Sequence, residues 1–304
     1  MAYMILLGAG ASFGSEHARF GDTQDSVLKT PPLGNQLFSA LLQYSAAAQA
    51  APQHIKDAFS VNFEDGMQKY YKHSEGNIMA FQRELAGYLA NFVPLERNLY
   101  QDLLMKINTK RFVFCSLNYD LLFEQSASAL GIPTCYGLSC PSNSLRLLKI
   151  HGSSNFWPDL GGSMFRGCDF SGFKTDVVAP VRPLDRAQSL YKCRTEDSLA
   201  PSIAMFAVGK AVKVCPDFIE EQYEQWRSQI ARSSKIFIIG VRVHEIDAHI
   251  WKVLGDSSSD VFYFGFENDI EEFEQWKRNN NKHNSYFRLS DFRDSINTIV
   301  KLSR

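Results

Sequence analysis

The chain has 304 residues, 45% of them hydrophobic, and a formal net charge of −1. This size predicts one large domain, or one domain with an insertion, and the near-zero charge excludes the overall basic field that attracts nucleic acid. The later apolar runs, such as that at 236–241, are strand-sized and too short to span a bilayer. The N-terminal apolar run is too short for a signal peptide and has no basic leader, so we expect a cytoplasmic protein.

Four short, nearly all-apolar runs predict strands that are buried on both faces of a parallel sheet. They lie at Tyr3–Leu7, Phe112–Cys115, Ile236–Ile239 and Val261–Phe266, and Leu145–Ile150 is a fifth candidate. Each of the first four leads into a helix-like stretch, either directly or after a loop. This alternation predicts an open α/β sheet.

The stretches between the strands predict the rest of the architecture. Residues 34–108 carry apolar residues at helical spacing and are too long for one crossover helix, so we expect a helical insertion. Residues 152–215 are irregular and predict long active-site loops. Helices are expected at Asp217–Arg232 and Asp269–Arg278. We expect one domain over residues 1–304.

The six cysteines lack the paired spacing of a structural zinc site. They are Cys115, Cys135, Cys140, Cys168, Cys193 and Cys215, and no two of them form a C-x-x-C pair. In a cytoplasmic chain we therefore expect mostly free thiols. We expect no bound metal.

The first strand runs into two glycines, Gly8 and Gly10, within the sequence LLGAGAS. Glycines at this place allow a sharp turn and the close approach of a pyrophosphate, and the following helix N-terminus supplies N–H donors. The match to G-x-G-x-x-G is imperfect, because the sixth position is Phe13. A tight turn after a core strand explains the glycines about as well.

Polar residues follow the next two strands. Asn118 and Asp120 come after the strand at 112–115, where they either cap the next helix or face a ligand at the carboxyl end of the sheet. His151 ends the run at 145–150, just before a Gly/Ser loop, as suits a general base that faces a cleft. The alternative is a structural histidine, at the surface or in the core, whose ring nitrogens have hydrogen-bond partners in the protein. Trp157 either walls the same cleft or packs in the core.

The last two predicted strands end in the same manner. Gly240 follows the strand at 236–239. After this glycine, Arg242 is a candidate for a contact with a phosphate, and Asp247 is a candidate for the cap of the next helix. Glu267 follows the strand at 261–266 and is either a hydrogen-bond partner for ribose hydroxyls or a plain turn residue. Because a ligand cleft gathers strand ends, these positions together predict a binding site.

The order of these motifs resembles the sirtuin superfamily. GAGAS resembles the family's G-A-G-[IA]-S loop, SLNYD resembles T-Q-N-x-D with Asn118 and Asp120 in register, and KIHGS resembles the segment that carries the catalytic histidine, here His151. IIGVRVHEID and the strand that ends at Glu267 match more loosely. The N-Y-D form, the aromatic residue after K-I-H-G-S and the P-L-G stretch at 32–34 are most similar to bacterial sirtuin-like domains of anti-phage defence systems.

This resemblance implies a Rossmann-like, mostly parallel sheet with a helical insertion, and an enzyme whose substrate is NAD+. The defence domains hydrolyse NAD+ to nicotinamide and ADP-ribose and so deplete the infected cell in abortive infection. The chain lacks the two C-x-x-C pairs that form the zinc module of deacylase sirtuins, which favours hydrolysis over deacylation. It also departs from the Gly-Thr-Ser segment of those sirtuins, because Val241 occupies the second position.

The resemblance also implies roles for individual residues. Asn118 would orient the ribose or the attacking water, Asp120 would fix the loop or stabilise developing positive charge, and His151 would accept a proton from water or a ribose hydroxyl. The residues that would bind NAD+ are Gly8, Ala9, Gly10, Ala11, Ser12, Asn118, Asp120, Gly240, Arg242 and Glu267. We expect Asn118 and His151 to line an open cleft, so that alanine substitutions change stability by less than about 0.5 kcal/mol.

Other functions fit the same motifs. A zinc-less deacylase or ADP-ribosyltransferase would use the same bond cleavage, whereas a regulatory module would only bind NAD+ or ADP-ribose. A dehydrogenase would leave Asn118 and His151 without a role. Because no regulatory domain is visible in the chain, we expect a homo-oligomer, and the resemblance implies a separately encoded ATPase or Argonaute-like activator.

Overall fold

The structure is a computed structural model that describes residues 2–15, 18–21, 29–137, 139–161, 165–173, 176–204, 212–244 and 247–304. Residues 245–246 of the IIGVRVHEID segment and parts of the expected loop region at 152–215 lie outside these ranges. The strands are β1 (Ala2–Leu7), β2 (Ala18–Phe20), β3 (Phe92–Pro94), β4 (Phe112–Ser116), β5 (Thr134–Cys135), β6 (Leu145–Leu148), β7 (Phe156–Pro158), β8 (Val181–Pro183), β9 (Ser233–Ile239), β10 (Asp260–Gly265) and β11 (Ser285–Leu289). The helices are α1 (Ala9–Gly14), α2 (Gly34–Leu41), α3 (Ala46–Ala50), α4 (Gln53–Val61), α5 (Phe63–His73), α6 (Met79–Ala90), α7 (Leu99–Lys106), α8 (Leu122–Ala129), α9 (Arg186–Thr195), α10 (Pro216–Arg232), α11 (Ala248–Asp256), α12 (Ile270–Asn279) and α13 (Phe292–Leu302).

The central sheet has seven strands within the described ranges, in the order β11-β10-β9-β1-β4-β6-β5. Every neighbouring pair is parallel, which confirms the predicted Rossmann-like α/β sheet. From β1 the chain builds the side that contains β4, β5 and β6, and then returns to place β9 on the other side of β1. The carboxyl ends of β1 and β9 therefore flank a topological switch point, where open α/β sheets bind their ligands.

Hydrophobic cores cover both faces of this sheet. Along β1, Tyr3, Ile5 and Leu7 belong to one core, whereas Met4 and Leu6 belong to the other. Successive side chains of a strand point to opposite faces, so the alternation follows from the pleat. Because neither face meets solvent, β1 needs the unbroken apolar run that identified it in the sequence.

Helices α2 to α7 lie between β1 and β4, in the region where the sequence predicts a helical insertion at 34–108. Its aromatic residues pack together within the core, with the rings of Phe38 and Phe59 stacked at a centroid distance of 3.9 Å. The buried side-chain amide of Gln82 in α6 donates to the carbonyl oxygen of Ile203 at 2.8 Å. This bond ties the insertion to the chain that follows the predicted catalytic histidine.

The region at 152–215 contains more regular structure than the predicted loops. Strands β7 and β8 pair antiparallel, and α9 begins with a capping box between Asp185 and Gln188. Few residues of α9 are apolar, so the helix lacks the periodicity from which helices are predicted. Among helices formed by the described residues, none is long and apolar enough to cross a membrane.

The structure also corrects the expectation for two of the cysteines. Cys135 at the end of β5 and Cys140 are joined by a disulfide, with their Cα atoms 5.7 Å apart. The expectation of mostly free thiols does not hold for this pair, because their Cα atoms lie within the range of a disulfide. Cys115, Cys168, Cys193 and Cys215 are free.

Candidate active site

The loop after β1 packs directly on the loop after β9, and we call this the glycine contact, formed by Gly8, Gly10 and Gly240. A Cβ atom added to Gly8 would lie 2.3 Å from the Gly240 carbonyl oxygen, and one added to Gly10 would lie 2.8 Å from the Gly240 Cα. The N–H of Gly10 donates to the Gly240 carbonyl at 3.0 Å, and that of Gly8 donates to the Ile239 carbonyl at 3.0 Å. Glycine is thus required at these positions by the close contact between two backbone segments. This requirement agrees with the interpretation of the loop after β1 as a tight turn after a core strand. The N–H groups of Gly8 and Gly10 are already engaged.

Asn118 joins the glycine contact to the end of β4. Its side-chain amide donates to the Gly8 carbonyl oxygen and to the Ser12 hydroxyl oxygen, both at 2.9 Å. Helix α8 does not begin until Leu122, so the helix-cap interpretation of Asn118 is wrong. The residue is only 8% exposed, which corrects the expectation of an open cleft position.

Asp120 is a buried carboxylate with a partial capping role. Its Oδ1 accepts a hydrogen bond from the Leu122 N–H at 3.0 Å, at the start of α8. Burial raises the pKa of Asp120, and the nearby Lys149 ammonium acts in the opposite direction. Lys149 is itself fully buried and donates to the Asp120 carbonyl at 2.7 Å and to Glu124 at 2.9 Å. The strand end thus carries a charged network within the core.

His151 meets a second histidine that the sequence analysis did not single out. The Nε2 atoms of His151 and His249 lie 3.1 Å apart. His151 follows β6 and His249 lies in the first turn of α11, which follows β9. Since β1 and β4 separate β6 from β9 in the sheet, the two histidines meet across the carboxyl ends of these central strands. His151 is 3% exposed, so its expected position in an open cleft is also wrong.

Asp247 completes what we call the histidine cluster, formed by His151, His249 and Asp247. One ligand-type atom from each residue lies within 4.8 Å of those of the other two. Asp247 occupies the N-cap position of α11, as expected, but its side chain makes no capping hydrogen bond. This is the one set of three such side chains among the described residues that could hold a metal ion.

The other predicted binding residues lie at the surface. Arg242 forms an exposed, two-pronged ion pair with Glu272, with N–O distances of 3.0 and 2.6 Å. Glu267 is exposed in a 3-10 turn after β10, where Asp269 accepts the Phe266 N–H at 2.8 Å. Within the described part of the chain, the structure brings neither Arg242 nor Glu267 into the hydrogen-bond network of Asn118.

Trp157 lies in β7 and is buried, yet its ring also lines a surface groove. The groove has a volume of about 800 Å³ and runs between the β7–β8 pair and α9. The Lys192 ammonium lies 5.3 Å from the centre of the Trp157 ring. Neither Asn118 nor His151 lines this groove, so Trp157 walls a surface separate from the strand-end residues.

Two partners at the sheet edge were missed in the sequence analysis. His249 lies two residues beyond Asp247, the last residue of the IIGVRVHEID segment, so the D-x-H spacing could have identified it. Tyr100 in α7 exchanges a hydrogen bond with Ser12 at 2.9 Å, across 88 residues, and no local pattern predicts this.

No family model matches the chain, and no curated protein matches it. Among solved structures, a sirtuin from work on sirtuin substrate affinity is similar at a TM-score of 0.45 and 13% identity, over 100% of this chain and 94% of that one. A Sir2 enzyme from work on Sir2 mechanism and regulation is similar at a TM-score of 0.43 and 10% identity, over 99% and 91%. The protein is of the Rossmann-like α/β class, as its own seven-stranded parallel sheet shows.

Proposed function

We propose that this protein is an NAD+ glycohydrolase, which cleaves NAD+ to nicotinamide and ADP-ribose at the carboxyl edge of the sheet. The observation that carries the proposal is the meeting of His151 with His249 over the ends of β1 and β4, next to the switch point. Asn118 and Asp120 occupy the end of β4 itself. A base and a buried carboxylate therefore flank the place where this type of sheet binds nucleotides.

His151 is proposed as the general base. In a hydrogen bond between two imidazole Nε2 atoms, one nitrogen donates its proton and the other accepts with a lone pair. The accepting ring is therefore unprotonated at Nε2, and we propose that His151 is that ring and exchanges its bond to His249 for one to the attacking water. Nicotinamide leaves as a neutral base, so the reaction needs little acid assistance, and His151 would take the proton of the attacking water.

Asp120 and Asn118 are proposed to stabilise and to orient the ribose. As the glycosidic bond breaks, the ribose gains oxocarbenium character, and a carboxylate nearby in a low-dielectric site stabilises that positive charge. The two N–H groups of the Asn118 amide are already bonded to Gly8 and Ser12, which fixes the direction of its side-chain oxygen. That oxygen is the atom proposed to contact the ribose or the attacking water.

The remainder of NAD+ is proposed to lie along the loops after β1, β9 and β10. Gly8 and Gly10 have engaged N–H groups, so they would shape the backbone rather than donate to the pyrophosphate, next to Ala9, Ala11 and Ser12. Arg242 would reach a phosphate by exchanging its bond to Glu272. The remaining proposed contacts are those of Gly240 with a phosphate and of Glu267 with ribose hydroxyls.

The biological setting is proposed from the sequence resemblance alone. The protein would act as the effector of an abortive-infection defence system, as a homo-oligomer or with an ATPase or Argonaute-like activator. Purification from cells that express the protein at its natural level would identify such partners. A monomer by light scattering under all ligand conditions would count against oligomeric control.

The proposed activity is tested by incubating the protein with NAD+, without any acyl-lysine peptide, and separating the products by chromatography. We expect equal amounts of nicotinamide and ADP-ribose. Binding of NAD+ with no nicotinamide released, with or without copurifying partners, would contradict the proposal and favour a regulatory binding module. Release of nicotinamide only when an acyl-lysine peptide is present would favour a deacylase.

A further inference from the structure

The histidine cluster combines two imidazole nitrogens and a carboxylate at one place in the fold. We propose that His151, His249 and Asp247 bind a divalent transition-metal cation such as Zn²⁺. Binding does not depend on the proposed NAD+ cleavage, because it needs only these three side chains. The expectation of no metal was argued from cysteine spacing, and it did not consider ligands that the fold brings together.

The distances suit such a cation. Zinc binds imidazole nitrogen at about 2.0–2.1 Å, so two nitrogen ligands of a tetrahedral ion lie about 3.3 Å apart. The two Nε2 atoms are 3.1 Å apart, within a few tenths of an ångström of that separation. A ligand-type atom of Asp247 lies within 4.8 Å of a ligand-type nitrogen of each histidine.

The donor set selects the kind of cation. Two histidines with one carboxylate form a known ligand set of catalytic zinc sites and of mononuclear iron(II) sites, and this set leaves at least one position open. Magnesium and calcium prefer oxygen ligands only. The cluster should therefore bind Zn²⁺ or Co²⁺ strongly and Mg²⁺ weakly.

The backbone around both histidines is held in place. The carbonyl of His151 accepts the Ala204 N–H at 2.8 Å, and that of His249 accepts the Tyr223 hydroxyl at 3.1 Å. Gly152, which follows His151, has a φ of +84°, and a Cβ there would lie 2.2 Å from the Ser202 carbonyl oxygen. Fixed backbones of this kind reduce the ordering that metal binding must otherwise impose.

A bound cation would also change what His151 can do. It would occupy the Nε2 lone pair, so that nitrogen could no longer accept a proton from water. Where the proposed function also holds, Zn²⁺ should inhibit NAD+ cleavage, and a chelator should restore it. This consequence rests on the proposed function, whereas the binding itself does not.

The binding test uses full-length, tag-free protein that has been treated with a chelator, dialysed and titrated with Co²⁺ in the absence of NAD+. We expect one Co²⁺ per chain, visible absorption bands, and no thiolate-to-cobalt band in the near ultraviolet. His249→Ala and Asp247→Asn should each weaken binding by about 100-fold or more, because the loss of mere outer partners already costs 10–100-fold. His54→Ala, at an exposed histidine 6.3 Å from His73 in ring centroid distance, is the matched control and should bind as wild type does.

Three results would overturn the proposal. They are the absence of saturable Co²⁺ binding, a thiolate band that assigns the ion to cysteines, and binding that His249→Ala and Asp247→Asn leave unchanged. A measurement on wild type alone covers the case in which the variants fail to fold. Zn²⁺ should raise the melting temperature and Mg²⁺ should not, and no rise with Zn²⁺ would contradict the site.

Discussion

The glycine contact and the histidine cluster lie at the same edge of the sheet, but they differ in how their polar groups are used. In the glycine contact, the N–H groups of Gly8 and Gly10 and both N–H groups of the Asn118 amide have partners inside the protein. In the histidine cluster, ligand-type atoms of three residues lie within 4.8 Å of one another, and in the bond between the two imidazoles one nitrogen accepts with a lone pair. The first arrangement holds two loops together, whereas the second has atoms that can take a proton or a metal ion.

This difference shows that similar motif positions need not do similar work. Gly8, Asn118 and His151 each follow a strand of the sheet, and the sequence assigned all three to one binding cleft. Under the proposed function, the residues of the glycine contact would position the substrate and those of the histidine cluster would take part in the reaction. Substitutions in the first should therefore damage folding, whereas substitutions in the second should damage chemistry.

The largest effect on stability is expected for Gly240→Ala. Gly240 has a φ of +66°, and its added Cβ would lie 2.0 Å from the Ala11 backbone nitrogen. Strained backbone of this kind costs about 1–3 kcal/mol, and the clash adds to it, so we expect a loss above about 3 kcal/mol or no folded protein. Gly131→Ala is the matched control, because Gly131 has a φ of +71° but nothing within 4 Å of the added Cβ. Urea unfolding that gives equal losses for the two variants would show that the glycine contact is not tight.

A smaller loss of stability is expected for Asn118→Ala. The substitution removes two buried hydrogen bonds, to the Gly8 carbonyl and to the Ser12 hydroxyl, each worth about 0.5–1.5 kcal/mol, although Gly8 keeps the Ala11 N–H and Ser12 keeps Tyr100 as partners. This loss of stability is larger than the change of less than about 0.5 kcal/mol that the sequence predicted, because Asn118 is buried.

Asn284→Ala serves as the control for the Asn118 variant. Asn284 also donates two amide bonds, to the carbonyls of Ser258 and Ser259, but it is partly exposed and lies at the amino end of β11, at the opposite edge of the sheet. We expect a smaller change in the free energy of unfolding and unchanged NAD+ turnover. If Asn118→Ala is no less stable than Asn284→Ala, the positioning role of Asn118 is wrong.

The smallest effect is expected for Asp120→Asn, and it depends on pH. Burial raises the pKa of Asp120 above the ordinary aspartate value, although Lys149 opposes the rise, so folding favours the protonated carboxyl. Wild type should therefore lose stability as the pH rises from the ordinary aspartate range through the raised pKa. The Asn side chain of the variant does not ionise, so the free energy of unfolding of the variant should rise relative to that of wild type over that pH range. The measurement is urea unfolding of both proteins at several pH values. A difference in the free energy of unfolding that stays constant with pH, or that changes in favour of wild type as the pH rises, would contradict this prediction.

Much of the sheet could be predicted from the sequence because its strands are buried on both faces. β1, β4, β9 and β10 lie within a few residues of the predicted runs, and the predicted helices at 217–232 and 269–278 correspond to α10 and α12. β11 was missed because it lies at the sheet edge and several of its residues are exposed. β5 was missed because it has only two residues.

The site could be predicted only in part, because its residues meet through the topology of the sheet. Glycine and polar residues at strand ends are visible in the sequence, so Asn118, Asp120 and His151 were found. The contact between His151 and His249 joins residues 98 positions apart on either side of two other strands, and no local spacing encodes it. The burial of these residues also depends on segments, such as that around Ala204, that are remote in sequence.

The account is tested most directly by the NAD+ turnover of His151→Ala, measured with its melting temperature on the same chelator-treated samples. We predict a lower melting temperature, because His151 is buried, and a fall in turnover of roughly 10²–10⁴-fold at a temperature where both proteins are folded, the usual contribution of a general base. His54→Ala should match wild type in both measurements. A His151→Ala protein that melts like wild type and still releases nicotinamide at the wild-type rate would contradict the central claim.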